Sequence, residues 1–86
     1  MNKNLMTIVL ESMAFWELAG DEVVDGDSAA DQMEGAVTTL NKLSPAEKAE
    51  FSSFVREYAD EEEQQKGPPE RVEFFRSLPD TIGLSD

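Results

Sequence analysis

Cysteine and histidine are both absent from the 86-residue chain. Without cysteine there is no disulfide frame and no thiolate zinc site. Without histidine the usual general base near neutral pH is missing, as is the commonest transition-metal ligand. Ser–His and Cys–His nucleophile pairs are excluded as well. No glycine-rich phosphate loop is present, because Gly20 and Gly26 sit among acids that repel phosphate. No cofactor is expected. Long apolar runs are lacking too. Leu5 to Ala19 is the most apolar window, short of the ~20 residues a span requires. It contains Glu11 and Glu17 and has only Lys3 on its N-terminal flank, so it reads as neither a span nor a signal peptide. The cysteine-free composition suits a reducing cytosol, and a cytoplasmic location is expected.

Positive charge is scarce. Seven Lys+Arg stand against nineteen Asp+Glu, for a formal net charge of -12. Such a field repels nucleic acid and anionic lipid and attracts basic surfaces, so neither nucleic acid nor membrane is an expected partner. The deficit is also uneven. Between Lys3 and Lys42 there is no Lys or Arg, yet eight acids lie there. Seven of these fall in one stretch, namely Glu17, Asp21, Glu22, Asp25, Asp27, Asp31 and Glu34.

What is present is helical periodicity. No stretch alternates at period two for long enough to make a strand. A first helix is predicted from Asn4 to Ala19, stopped by Gly20. Leu5, Ile8, Val9, Ser12, Phe15, Trp16 and Ala19 share one broad face, with Met6, Leu10 and Met13 beside it. Thr7, Glu11 and Ala14 form a narrow polar or neutral strip with Leu18 among them. So much apolar circumference predicts either a position packed between the other helices, the preferred outcome, or a homodimer through this helix. Gly20 to Gly26 reads as a loop whose Val23 and Val24 tuck against the core.

A second helix is predicted to begin at Asp27 or Ser28, either of which can cap it, and to reach Leu43. Ala30, Met33, Val37 and Leu40 form its apolar stripe, and Asp27, Asp31 and Glu34 lie opposite. Ser44-Pro45-Ala46-Glu47 is a capping box with proline at the first helical position, the clearest helix start in the chain. Phe51, Phe54, Val55, Tyr58 and Ala59 form the stripe of this third helix. It is expected to fray from Glu61 to Lys66, with Glu62 pairing with Lys66. Gly67-Pro68-Pro69 leads to a short fourth helix carrying Val72, Phe74, Phe75 and Leu78, which Pro79 closes. Ile82 and Leu84 suggest that the tail, Asp80 to Asp86, docks on the domain. These features predict a single all-α domain over residues 1–86, a compact three- or four-helix bundle.

The acidic stretch does not fit a calcium loop. Counting from Asp25, Asp27 suits the third position, but Ala29 stands at the fifth and Ala30 replaces the required glycine. No metal site is expected. A second acidic cluster, Glu57 with Asp60 to Glu63, reads as a solvated helix end, and Arg71 and Arg76 as partners of nearby acids. Trp16 reads as core.

These features favour binding over catalysis. The expected function is that of a small acidic inhibitor of the immunity or antitoxin type, occluding a basic protein partner such as a toxin, by analogy of size and charge. The expected contact residues are Asp21, Glu22, Asp25, Asp27, Asp31 and Glu34. A self-associating helical module is the alternative, and a carboxylate-based enzyme stands third.

Overall fold

A computed structural model describes residues 1–84, so Ser85 and Asp86 of the expected tail lie outside the described residues. It contains four helices and no strand among those residues. They are α1 (Lys3–Leu18), α2 (Gly26–Leu40), α3 (Pro45–Gln64) and α4 (Pro69–Thr81). The small helical bundle read from periodicity is the fold observed.

Local chemistry sets each boundary. Asn2 caps α1, its side-chain oxygen accepting from the Asn4 and Leu5 N–H groups at 2.8 and 3.1 Å. Asp25, rather than Asp27 or Ser28, caps α2 by accepting from the Ser28 N–H at 3.1 Å. That leaves Asp27 inside the first turn. The helix stops at Leu40, short of Leu43, because the chain tightens there. The Lys42 and Leu43 N–H groups turn back to the Thr39 and Leu40 carbonyls, at 3.0 and 3.1 Å. The capping box of α3 is complete, with Ser44 and Glu47 each accepting from the other's backbone N–H.

The expected fraying of α3 is not observed. The helix runs to Gln64 and ends in a Schellman motif, the Gly67 N–H reaching the Glu62 carbonyl at 2.9 Å and the Lys66 N–H reaching Glu63 at 3.0 Å. Lys66 occupies the left-handed position of that motif, with φ of 60°. Pro79 does not close α4 but lies buried inside its last turn. A second Schellman motif lies just beyond it. The Leu84 N–H bonds the Pro79 carbonyl at 2.8 Å, with Gly83 at φ 76°. This turn folds Ile82 and Leu84 into the core, as the sequence suggested, and the Ser52 hydroxyl donates to the Leu84 carbonyl at 3.2 Å.

The most extensive packing is between α3 and α4, and α1 touches all three other helices. Phe51, Phe75, Leu10, Met13, Leu78 and Val55 are fully buried at their junction. Each such large side chain contributes about 1.5–3 kcal/mol on burial. Tyr58 stacks edge-on against Phe75, the rings 5.0 Å apart. Helix α2 packs chiefly on α1, burying Ala29 and Leu40, with Met33, Ala36 and Val37 against the core. Ala30 of the expected stripe is exposed, since helix rotation gives its place to Ala29.

The largest departure concerns α1. Its buried face is Met6, Leu10, Met13 and Ala14, not the broad face expected. Leu5 and Ile8 are 63% and 61% exposed, and Phe15 is 51% exposed. Only Val9 and Trp16 of the expected set pack against the core. At ~100° per residue the two faces lie nearly opposite one another. The helix therefore sits against its three neighbours and still presents an uncovered apolar side.

Candidate protein-binding surface

The loop between α1 and α2 and the outer face of α2 carry the acidic stretch. Gly20 starts a tight turn, its carbonyl accepting from the Val23 and Val24 N–H groups at 2.9 and 3.1 Å. Val24 is half-buried, but Val23, expected to tuck inward, is 65% exposed. The Glu22 side chain lies back over Gly20. The Asp21 carboxylate leans over the first residue of α2, within 3.4 Å of where a Cβ on Gly26 would stand. Asp21 and Asp25 thus approach the positive end of the α2 dipole, which favours their charge. Along α2, Asp27, Asp31 and Glu34 recur at steps of four and three and share one face.

All six expected contact residues, Asp21, Glu22, Asp25, Asp27, Asp31 and Glu34, are exposed. Among the described residues none of them makes an ion pair. Glu17 joins this surface across a shallow cleft of about 190 Å³ that it lines with Asp21, Trp16 and Val24. No group of three or more acids among the described residues is arranged to hold a metal ion.

The second acidic cluster is built differently. Arg76 pairs with Asp60 at 3.2 Å and with Glu63 at 2.7 Å. Arg71 pairs with Glu62 at 3.1 Å and with Glu11 at 2.8 Å. The pairing of both arginines with nearby acids is as the sequence suggested. Glu62, however, meets Arg71 and not Lys66, which the left-handed turn carries away. Three of the cluster's acids therefore tie α3 to α4. They are part of the fold's own charge balance.

A four-residue network at the α1–α3–α4 junction is not visible in the sequence. The Tyr58 hydroxyl donates to Glu11, which also accepts from Arg71, and Arg71 continues to Glu62. The guanidinium lies 5.1 Å from the Phe75 ring centroid. The hydrogen bond from Arg71 holds the Glu11 carboxyl below its ordinary range against the opposing effect of burial. Burial, with the hydrogen bond to Glu11, pushes the Tyr58 phenol up to about 12. Arg71 is held more firmly protonated, chiefly by its hydrogen bond to Glu11. The only forewarning in the sequence was Glu11, an acid in the middle of a largely apolar helix, with its partner sixty positions away.

Beside this network, Phe15, Leu18 and Ala19 of α1 face Pro68, Glu70 and Arg71 across an open cleft of about 350 Å³. No protein family, curated protein or solved structure matches the chain. No helix among the described residues is long and apolar enough to cross a membrane.

Proposed function

We propose that the protein is a small acidic inhibitor of the immunity or antitoxin type, which captures a basic protein surface and occludes it. The observation that carries this reading is the contrast between the two acidic clusters. Three of the five acids in one cluster pair with Arg71 and Arg76, whereas the whole Asp21–Glu34 group is exposed and, among the described residues, free of ion pairs. Unpaired like charges on one face cost some stability and raise the local negative potential. A basic partner would relieve the first and be steered by the second.

Self-association through α1 is the competing reading, favoured by exposed Leu5, Ile8 and Phe15. Two copies each carrying -12 oppose it.

The test is capture from native host extract at low and high salt, with the bound protein identified and its affinity measured. The expected partner is basic, and its association slows steeply as added salt shortens the ~8 Å screening length of physiological buffer. Asp31→Lys with Glu34→Lys should weaken binding at an unchanged or raised melting temperature. Glu57→Lys with Glu61→Lys is the matched control, because neither residue makes an ion pair in the second cluster. Sensitivity to the control set alone would move the surface to α3. Insensitivity to both sets would remove the electrostatic reading.

A further inference from the structure

The uncovered side of α1 has a spacing of its own. Leu5, Ile8, Ser12, Phe15 and Ala19 succeed one another at steps of three, four, three and four. This is the repeat by which one helix receives another along a narrow seam. Its large members, Leu5, Ile8 and Phe15, are more than half exposed. No charged residue interrupts it.

The surroundings of the seam are acidic at one end. Where Phe15 and Leu18 meet the cleft toward α4, the far wall carries Glu70, without an ion pair among the described residues, and Arg71, whose charge is already met by Glu11 and Glu62. Across Ala19, which borders both clefts, stands Asp21. The last turn of α1 contains no basic residue to offset the negative end of its dipole. The only cation on α1 is Lys3, at the opposite end.

From this apolar seam, with acids on both flanks of its C-terminal half, we infer that α1 is the docking site for an amphipathic helix of the partner. That helix carries an apolar stripe for Leu5, Ile8 and Phe15, and Lys or Arg beside it for Asp21 and Glu70. The inference rests on the basic-partner reading above and says where that partner's apolar contact falls. A second copy fits less well. It would bring an identical acidic rim to an acidic rim, with no arginine or lysine on its own α1 beyond Lys3 to meet it. The partner's basic flank supplies the complement that a second copy lacks.

The probe is a synthetic helical peptide about four turns long, with leucine at the seam positions and lysine on both flanks. A glutamate-flanked peptide and a scrambled lysine peptide of equal charge are its controls. Binding is followed through Trp16, the single tryptophan, which lies half-buried next to the seam. The lysine-flanked helix should bind at least about tenfold more tightly than either control. Ile8→Asp and Phe15→Ala should each erase that preference, as expected of residues at the centre of an interface. Both positions are exposed, and the helical signal of each variant confirms its fold.

Equal affinity for the helix and its scramble would overturn the inference, as would binding unaffected by Ile8→Asp. A concentration-dependent dimer abolished by Ile8→Asp, without preference among the peptides, would overturn it in favour of self-pairing. Loss of binding by the native partner on Asp31→Lys with Glu34→Lys, but not on Ile8→Asp, would leave the electrostatic reading standing and this one refuted. Indifference of the native partner to every one of these changes would refute both.

Discussion

Arg71 holds the junction of three helices through two carboxylates and an aromatic ring. Replacing it with methionine keeps the packing against Phe75 and removes both ion pairs. The Glu11 side chain remains 41% exposed, so solvent screens part of what is lost. The expected cost at neutral pH is about 1–2 kcal/mol, measured by denaturant titration. Glu11 binds its proton less readily in the fold than its ordinary value of 4.5 implies. Its stabilising contribution is therefore complete above that value and is lost as pH falls through the lowered one. The parent and Arg71→Met should converge in stability over that acidic window. A gap unchanged by acid would assign the loss to packing. Tyr58 works in the alkaline direction. Its phenol stays protonated in the fold toward about 12, against an ordinary value of 10.0. The part of stability it carries is whole below the ordinary value and fades as pH rises from there through about 12.

The helix ends make the clearest contrast at the level of elements. Both α3 and α4 close with Schellman motifs, but α4 places Gly83 in the left-handed position and α3 places Lys66 there. A side chain at positive φ costs about 1–2 kcal/mol, which glycine avoids. Lys66→Gly should raise stability by about 0.5–1 kcal/mol after its added unfolded-state freedom is counted. Gly83→Ala should lower it by about 1 kcal/mol or more, because the same strain loosens Leu84. Opposite signs in thermal melts would bear this out, and equal signs would refute it. The start and the stripe of α3 were legible because capping chemistry and periodicity are local. The end of α3 was not, because arginines on α4 and a turn beyond Gln64 hold it. Pro79 departs from expectation for a related reason. A proline in the final turn is retained when residues further along use its carbonyl and the core takes its ring, as the Leu84 N–H and the buried ring do here. The orientation of α1 was ambiguous by nature. Both of its faces are apolar, and periodicity reports a face without saying which neighbour covers it.

For the molecule as a whole, the acidic surface was legible and the seam on α1 was not. Charge on a loop and an outer helix face is exposed by default. The fate of Leu5, Ile8 and Phe15 depended on how three other helices were arranged. That arrangement has one further result. Helix α2 is fastened chiefly to α1, and just past its end the Asn41 amide donates to the Ile82 carbonyl at α4's cap, at 3.3 Å. It buries little of its own surface, and Gly35 in its middle adds backbone freedom. An element so attached can lift away while the α3–α4 hairpin stays folded. Native-state hydrogen exchange should find the α2 amides opening at a lower free energy than those of α3, and Asn41→Ala should widen that difference. Uniform protection across all four helices would show that the molecule opens only as one unit. If the difference is found, the helix bearing Asp27, Asp31 and Glu34 is also the most loosely held part of the protein. Capture of a partner would then register as slowed exchange in α2, giving a readout of binding that needs no label on either molecule.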